Sequence, residues 1–540
     1  MNRLMRYSLL ILLACPVLGF TAPPTLTNLY PAGGQLGSTV EVLAGGTFPK
    51  WPVQAWCSEP KIEITPLKDK GKLTIKIPAD VLPKPVWIRL HDGDGSSAPR
   101  PFMLGRLPEL AEKEPNDETA KSQPITGNAL VNGKLDKSGD VDTYRMTLKK
   151  GETLVAFLLA NEVIASPVDA VLQMLTADGF VVAQDHDTHG LDPQIAYAAP
   201  RDGEYLVRVF GFPSAPDSSI RLYGADTIIY RLMLTTGPFP DHVIPLAVSR
   251  KQPGRVRLSG WNIPPDLVEL PAEINGNEAW VNHPKLPELV PMRLIDEPTL
   301  VEGAKDYTPP FALTRRITKE DETQMLSVIG KKGQPLHIST HSRQMGLGVT
   351  PILRILSSSL EVLAKAVPPQ LNTDSELRFT PAADGPFTIE VRDQFGQFGP
   401  RSEYLLRVRT PLADFDATIP SDRIGVKPGA TTDVIVTVTR RDGLTGDLLA
   451  EVEGLPAGVT MKELPPTKGK GDGKTITLQF HAEETAKSGP FRLVLKSAGK
   501  TELTRTARAT IPEQTPAVTE YLWLAVTADP TPPPPKKKKK

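Results

Sequence analysis

The stretch Asp202-Gly203-Glu204-Tyr205-Leu206-Val207-Arg208-Val209 decides the fold class of this chain. A turn-forming Asp-Gly pair leads into a run whose successive side chains point alternately to a core and to solvent. Similar runs recur at 73–77, 388–391, 434–438, 476–480 and 491–493. Because turn formers separate these runs at short intervals, the pattern predicts antiparallel β-sandwiches rather than a parallel sheet with crossover helices.

Proline and glycine are unusually frequent, with 55 Pro and 42 Gly among 540 residues. Together they make about 18 % of the chain, against roughly 12 % in average proteins. An excess of turn formers without low complexity favours many short strands, and the length predicts about four domains. We therefore expect an all-β protein built of tandem β-sandwich domains that are linked like beads.

The N-terminus has the pattern of an export signal. Arg3 and Arg6 precede an apolar stretch at 9–20, which is too short to span a bilayer, and we predict a signal peptide over residues 1–22. Two processing routes stay open: simple cleavage, which we favour, and lipidation of Cys15 within a lipobox-like Leu-Leu-Ala-Cys. The expected location is the periplasm or the extracellular space.

Cysteine usage is consistent with export but adds little. The chain has two cysteines, Cys15 and Cys57. If Cys15 leaves with the signal, Cys57 has no intrachain partner and no disulfide framework can form. The domains must then be stabilised by their cores or by bound ions.

The formal charge of zero hides an uneven distribution. The chain has 62 basic and 62 acidic residues, but seven of the basic ones lie in the signal and in the C-terminal run Lys536–Lys540. The remaining body is mildly acidic, which argues against nucleic-acid binding and leaves room for a divalent cation. For the lysine run we favour a solvated tail over weak contact with an acidic surface.

An internal duplication organises the chain. Lys149-Lys150-Gly151 and Asp202-Gly203 both recur 182 residues later, as Lys331-Lys332-Gly333 and Asp384-Gly385. Glu114-Pro115 corresponds to Glu297-Pro298, 183 residues later. Ordered matches at nearly one offset predict two copies of one unit with small insertions and deletions.

The larger part of each unit resembles a known family. In the first copy an ordered series of acidic and turn motifs begins with Glu114-Pro115-Asn116-Asp117. The rest of the series is Gly133-Lys134-Leu135, Asp140-Val141-Asp142-Thr143-Tyr144, Gly151-Glu152-Thr153-Leu154, Asp185-His186-Asp187, Asp192-Pro193, Asp202-Gly203-Glu204-Tyr205 and Tyr230-Arg231-Leu232. The series resembles the bacterial pre-peptidase C-terminal (PPC) domain, a jelly-roll-like β-sandwich found on secreted proteases and many surface proteins.

The flanking segments resemble other β modules. Tyr30-Pro31-Ala32-Gly33-Gly34 and the following Gly37–Val42 segment are similar to immunoglobulin-like TIG/IPT modules, and Gly454-Leu455-Pro456-Ala457-Gly458-Val459 is similar to bacterial immunoglobulin-like (Ig-like) domains. The predicted domains are a TIG/IPT-like sandwich (23–106), a first PPC-like domain (107–238), a short TIG-like module (239–292), a degenerate PPC-like domain (293–410), an Ig-like sandwich (411–512), and a final strand with a Pro/Lys tail (513–540).

One set of side chains suggests metal chemistry. Four oxygen donors stand within six residues, and two carboxylates follow at the start of a strand; they are Glu112, Glu114, Asn116, Asp117, Asp140 and Asp142. Hard oxygen donors, several of them anionic, suit calcium, and nothing suggests zinc. In PPC relatives with this motif these positions bind calcium, so the resemblance implies calcium here. The alternative is an acidic loop whose side chains only cap turns.

The second copy has lost several of these donors. In the alignment by motif, Thr299 and Leu300 replace Asn116 and Asp117, and Gln324 replaces Asp142. Asp140 aligns with Glu322. We therefore predict no calcium in the second copy.

No enzyme motif is recognisable: neither H-E-x-x-H nor G-x-S-x-G occurs. We expect an exported, non-catalytic binding or structural protein of the cell envelope or extracellular space, with calcium stabilising its first PPC-like domain. Its partner would be an extracellular polymer, either protein or polysaccharide, or an envelope protein. The alternative is an accessory or inhibitory subunit of a secreted hydrolase.

Overall fold

The computed structural model describes residues 22–215, 221–370, 372–465, 473–498, 503–511 and 518–528. In these ranges strands dominate, and helix is limited to 3₁₀ turns at Thr119–Lys121, Pro265–Leu267 and Arg343–Met345. No helix there is both long and apolar enough to cross a membrane. The all-β class is confirmed. Most of the predicted signal, with Cys15, and the run Lys536–Lys540 lie outside the described residues.

The strands form five sandwiches, which we number in chain order. Sandwich 1 (25–105) packs the sheet β1-β3-β6-β5 on the sheet β2-β9-β7-β4. Its strands are β1 (Thr25–Tyr30), β2 (Gly33–Gln35), β3 (Thr39–Thr47), β4 (Gln54–Cys57), β5 (Glu63–Pro66), β6 (Lys72–Lys76), β7 (Pro85–Asp92), β8 (Gly95–Ser96) and β9 (Arg100–Gly105). The predicted run at 73–77 is β6, and its Leu73 and Ile75 lie fully inside the core.

Sandwich 2 (109–235) carries the predicted metal ligands. Its sheets are ordered β10-β12-β19-β14-β17 and β11-β13-β18-β15-β16. The strands are β10 (Glu109–Ala111), β11 (Gln123–Pro124), β12 (Ala129–Lys134), β13 (Asp142–Leu148), β14 (Thr153–Leu159), β15 (Val168–Thr176), β16 (Val181–Asp185), β17 (Gln194–Ala198), β18 (Gly203–Pro213) and β19 (Ile229–Thr235). The deciding stretch is β18, whose Tyr205, Val207 and Val209 lie in the core between the sheets.

Sandwich 3 (239–295) is small, with sheets β20-β22-β23 and β21-β26-β25-β24. Its strands are β20 (Phe239–Ile244), β21 (Ala247–Ser249), β22 (Arg255–Trp261), β23 (Glu269–Pro271), β24 (Glu273–Asn275), β25 (Glu278–Val281) and β26 (Val290–Ile295). Since β26 runs to Ile295, the module extends three residues beyond the predicted boundary at 292.

Sandwich 4 (299–409) repeats the architecture of sandwich 2, with sheets β27-β28-β35-β30-β33 and β29-β34-β31-β32. Its strands are β27 (Thr299–Leu300), β28 (Phe311–Arg316), β29 (Thr323–Gly330), β30 (Leu336–His341), β31 (Pro351–Leu356), β32 (Val362–Ala366), β33 (Glu376–Phe379), β34 (Gly385–Asp393) and β35 (Glu403–Arg409). Details repeat as well: Asp202 accepts a hydrogen bond from the Lys150 amide, and Asp384 accepts one from the Lys332 amide, both at 2.7 Å.

Sandwich 5 (414–526) has sheets β40-β41-β38-β36-β44-β45 and β37-β46-β42-β39. Its strands are β36 (Asp414–Ile419), β37 (Arg423–Val426), β38 (Thr431–Arg441), β39 (Leu448–Glu453), β40 (Val459–Leu464), β41 (Thr475–Ala482), β42 (Gly489–Ser497), β43 (Thr504–Thr506), β44 (Arg508–Thr510), β45 (Val518–Thr519) and β46 (Leu522–Val526). The predicted domain boundaries assign the last strand to a separate terminal segment, 513–540. Instead β46 pairs with β37 and β42 and completes the core of this sandwich.

The sandwiches follow one another along the chain and also contact each other across long sequence separations. Arg89 of sandwich 1 and Asp422 of sandwich 5 form an ion pair at 2.8 Å in which both side chains are fully buried. Arg89 also donates to the Tyr521 carbonyl at 2.7 Å. The rings of His91 and Trp523 lie 4.5 Å apart beside this pair. The first and last sandwiches are therefore docked on each other.

A second junction joins sandwiches 2, 3 and 4 through charged groups. His242 lies between Asp241, at 2.7 Å, and Glu403, at 3.4 Å. Arg401 also pairs with Asp241, and His189 lies 3.7 Å from Asp241. Although burial lowers it, hydrogen bonds to the two carboxylates raise the net pKa of His242. Burial raises the pKa values of Asp241 and Glu403, but their hydrogen bonds to His242 and nearby positive charges lower both overall.

These pKa shifts predict how the junction depends on pH. The contribution of His242 to stability is complete below its unfolded pKa and is lost as pH rises through its raised folded pKa. The contributions of Asp241 and Glu403 are lost only as pH falls through their lowered values. Between about pH 6 and about pH 9, urea unfolding of the wild type should therefore show a loss of stability that His242→Gln removes. The exposed His186→Gln is the control and should behave like the wild type.

Candidate metal centre

The predicted ligands lie where one loop of sandwich 2 meets the start of β13. The loop leaves β10, which runs parallel to β12, and returns towards the 3₁₀ turn at Thr119–Lys121. Within it the Glu114–Pro115 peptide bond is cis. The Asn116 carbonyl accepts a hydrogen bond from the Thr143 amide at 3.2 Å, which holds the loop against the strand that begins with Asp142.

Three of the predicted carboxylates converge. Oxygen atoms of Glu114, Asp140 and Asp142 all lie within 4.8 Å of one another. Each of these side chains has one oxygen held by a protein donor: Glu114 by the Asn116 amide at 2.9 Å, Asp140 by the Asp136 amide at 2.6 Å, and Asp142 by the Tyr230 hydroxyl at 2.6 Å. The arrangement fixes the carboxylates in place and leaves their second oxygens available for a ligand.

The available atoms are buried polar atoms without hydrogen bonds. Within the described residues, Oδ1 of Asp140, Oδ1 of Asp142 and both polar atoms of Asn116 have no hydrogen-bond partner. All three side chains are fully buried. The Lys137 ammonium approaches Oδ1 of Asp140 to 3.5 Å, but more than half of its side chain is exposed. Leaving buried polar atoms without a hydrogen bond costs free energy. A ligand that binds these oxygen atoms would offset that cost.

Glu112 and Asp117 do not belong to the converging group. Glu112 accepts a hydrogen bond from the Lys134 amide at 2.7 Å, and the Tyr230 hydroxyl lies 3.5 Å from it. Asp117 is partly exposed and faces Lys137 at 4.0 Å. Of the six predicted ligands, the structure thus brings together Glu114, Asp140 and Asp142 with Asn116 next to them, and places Glu112 behind the group and Asp117 at its rim.

Burial and mutual repulsion disfavour ionised carboxyl groups here. Burial raises the pKa of Asp142 to about 9, and the charge of Glu112 adds to the effect. Burial raises the pKa of Glu112 to about 8 and that of Asp140 to about 6. A bound cation would reverse this balance, because positive charge favours the ionised form. The site therefore has the electrostatics expected of anionic ligands around a cation.

Two tyrosines support the site from the core. Tyr144 and Tyr230 are buried, and their hydroxyls form a hydrogen bond at 2.5 Å. Burial raises the pKa of both well above the usual value, so both stay protonated and Tyr230 can donate to Asp142. The period of two along β13 places Tyr144 on the same face as Asp142. Tyr230 lies 88 residues from Asp142, and no local pattern could have paired them.

The donor set fits calcium. Three carboxylates and one amide provide hard oxygen atoms at one point, and calcium takes 6–8 such ligands. No His or Cys belongs to the group that the described residues form, so the softer donors preferred by zinc are not part of it.

Backbone hydrogen bonds align sandwich 4 with sandwich 2 differently from the sequence motifs. The Pro298 carbonyl accepts a hydrogen bond from the β28 amide of Ala312 at 2.9 Å, just as the Pro108 carbonyl accepts one from the β12 amide of Leu130. Glu297-Pro298 is therefore the counterpart of Leu107-Pro108 and not of Glu114-Pro115. The prediction from the shared Glu-Pro dipeptide is wrong because the loop before β28 in sandwich 4 differs in length from the loop before β12 in sandwich 2. Glu297 instead pairs with Arg407 at 2.8 Å.

Comparison with known proteins agrees with the architecture of sandwich 2. Residues 140–211 match the model of the bacterial pre-peptidase C-terminal domain. A probable subtilase-type serine protease of Deinococcus radiodurans is 32 % identical over 98 residues, which are 18 % of this chain and 14 % of the protease. This chain thus covers a small part of that relative's length.

Two solved structures are also similar. The pre-peptidase C-terminal domain of a Bacillus anthracis collagenase is 14 % identical, covers 23 % of this chain and 100 % of its own, and has a TM-score of 0.17. A periplasmic inhibitor of g-type lysozyme from Aeromonas hydrophila is 14 % identical, covers 24 % of this chain and 97 % of its own, and has a TM-score of 0.16. The matched segment 140–211 starts at Asp140 and includes Asp142, β13, β15 and most of β18. The chain is therefore a multidomain β-protein that contains a bacterial pre-peptidase C-terminal domain.

Proposed function

We propose that this chain is an exported, non-catalytic binding or structural protein, and that one calcium ion stabilises its PPC domain, sandwich 2. The observation that carries the proposal is the set of buried oxygen atoms of Asn116, Asp140 and Asp142 that have no hydrogen-bond partner among the described residues. Glu114, Asp140, Asp142 and Asn116 would hold the ion, which would supply charge neutralisation and cross-link the loop to β13. Its role here is structural.

A serine–histidine contact in sandwich 4 also supports a non-catalytic role. Ser339 Oγ lies 3.1 Å from His341 Nε2, while His341 Nδ1 faces the guanidinium of Arg293 at 3.1 Å. Arg293 donates to Nδ1, so Nε2 carries the proton and donates to the serine. Burial and the charge of Arg293 lower the pKa of His341 to about 3. Such an imidazole is a poor general base, and a catalytic pair would need a carboxylate at Nδ1.

Exposed apolar side chains recur at one hairpin of both PPC-like sandwiches and support a binding role. In sandwich 2 the β15–β16 hairpin exposes Phe180, Val181 and Val182, and in sandwich 4 the β31–β32 hairpin exposes Val362 and Leu363. Both hairpins end at an edge strand of their sheet. Exposed apolar patches commonly mark interaction sites. The partner would be an extracellular polymer or an envelope protein.

The alternative function is that of an accessory or inhibitory subunit of a secreted hydrolase. The observation that favours it is the similarity of 98 residues to part of a probable subtilase-type protease. Hydrolysis of casein and common glycans by the purified chain, and its effect on an added subtilisin, would separate the alternatives. We expect neither hydrolysis nor inhibition; inhibition would favour the alternative, and hydrolysis would contradict both.

Capture from cell-envelope fractions tests the binding role. The wild-type chain should retain a defined protein or glycan with calcium present, and Phe180→Ser together with Val182→Ser should reduce that retention. Val301→Ser, at an exposed site directly after β27 in sandwich 4, is the control and should leave the retention unchanged. Equal retention by all three proteins would exclude the β15–β16 hairpin as the contact.

A further inference from the structure

The position in sandwich 4 that corresponds to the metal centre can be identified from strand register. Tyr404 of β35 lies opposite Arg315 of β28, as Tyr230 of β19 lies opposite Gly133 of β12. The Tyr404 hydroxyl donates to Gln324 Oε1 at 2.7 Å, as the Tyr230 hydroxyl donates to Asp142. Gln324 is thus the counterpart of Asp142, and Arg315 is the counterpart of Gly133.

The acidic residues of the two positions correspond as well. Thr299 pairs with Ala312 as Glu109 pairs with Leu130, so Glu302 is the counterpart of Glu112, each three residues further on. Glu322 accepts a hydrogen bond from the amide four residues before it, as Asp140 does. Sandwich 4 therefore keeps two acidic groups at this position, Glu302 and Glu322, whereas the neutral Gln324 replaces Asp142.

A basic side chain of sandwich 4 occupies this position. Arg315 donates from Nε to Glu302 Oε1; 19 % of the arginine side chain is exposed, and 54 % of the glutamate side chain. In sandwich 2 the corresponding residue is glycine, where an added Cβ would lie 2.3 Å from the Tyr230 hydroxyl oxygen. The first position is thus closed to any side chain, whereas the second holds a guanidinium that touches the retained glutamate.

We propose that the guanidinium of Arg315 replaces the metal ion in sandwich 4, as a covalently attached cation that neutralises Glu302 next to Tyr404. The proposal rests on the calcium site proposed for sandwich 2, which supplies the comparison. Arg315 is a fixed charge at every physiological pH, so sandwich 4 gains stability that does not depend on calcium.

Hydrogen exchange of the full chain, read separately in each sandwich, tests the proposal. Arg315→Met keeps the aliphatic stem and removes the charge, and it should increase exchange in Phe311–Arg316 and Thr323–Gly330 by about threefold, as expected for a partly exposed ion pair. The increase should be the same with calcium and with chelator. Lys365→Met removes an exposed positive charge from β32 of the same sandwich and should leave the exchange unchanged.

Two further variants separate lost charge from general damage. Arg315→Lys keeps a cation and should restore most of the protection. Glu302→Gln added to Arg315→Met removes the uncompensated carboxylate and should also restore part of it. An effect of Arg315→Met no larger than that of Lys365→Met, or calcium-dependent protection of sandwich 4 in the wild type, would overturn the proposal. Absence of calcium-dependent protection in sandwich 2 would instead contradict the calcium site proposed there.

Discussion

Removal of calcium should lower the unfolding temperature of sandwich 2 by about 5–15 °C. A ligand at about 100 times its dissociation constant adds about 2.7 kcal/mol to the stability of the state that binds it, and a domain of this size shifts by a few degrees per kcal/mol. Differential scanning calorimetry of the full chain with calcium and with chelator measures the shift. Thermolysin cleavage across 109–235 assigns the transition to sandwich 2.

Asp142→Asn should have opposite effects on the stability of the calcium-free and the calcium-bound forms of sandwich 2. Without calcium it removes a buried carboxylate from the neighbourhood of Glu112, Glu114 and Asp140, so sandwich 2 should be at least as stable as in the wild type. With calcium it removes an anionic ligand, so the stabilisation by the metal should disappear. Glu204→Gln, which changes a half-exposed carboxylate of the same sandwich, should keep the full calcium effect. A calcium shift that survives Asp142→Asn would contradict the proposed ligands.

Arg89→Met should destabilise the docking of sandwich 1 on sandwich 5 by up to about 3–5 kcal/mol, because it removes the 2.8 Å ion pair of the buried Asp422 carboxylate and leaves, among the described residues, only Arg423 Nε, at 3.5 Å. Both side chains are fully buried, so solvent cannot compensate. The double variant Arg89→Met with Asp422→Leu should recover most of the loss, since apolar residues can replace a buried ion pair. Chemical denaturation with tryptophan fluorescence from Trp523, which contacts His91 in this interface, follows the transition.

The exposed pair of Lys61 and Asp80 is the matched control in sandwich 1. Both side chains are more than half exposed, so Lys61→Met should leave the transition unchanged within error. If Arg89→Met also left the unfolding transition unchanged, sandwiches 1 and 5 would not be docked in solution as they are in the structure.

Local periodicity was sufficient to predict the strands but not the contacts between domains. The alternation at 203–213 predicts β18 because each residue's face depends only on its neighbours along the strand. The pair of Arg89 and Asp422 joins residues more than three hundred positions apart, and Asp422 lies in an unremarkable turn before β37. Neither residue has a local signal, so the docking of the first sandwich on the last required the three-dimensional structure.

The candidate metal centre was predictable in part for the same reason. Glu114 and Asn116 are close in sequence, and Asp140 and Asp142 follow at the start of a strand, so their proximity could be inferred from the motif. Whether each carboxylate turns its free oxygen inward depends on distant donors such as Tyr230. The sequence alone did not indicate the role of Arg315, because the Glu-Pro match aligned Glu297-Pro298 with Glu114-Pro115. Backbone hydrogen bonds and strand register show that the counterpart is Leu107-Pro108.

The central claim, one structural calcium ion per chain held in sandwich 2, is tested most directly by its stoichiometry. Isothermal titration of the metal-free full chain with calcium should give one site, and Asp142→Asn should give none. Binding of no calcium by the wild type, of two ions with one assigned to sandwich 4, or of one ion that persists in Asp142→Asn would contradict the account.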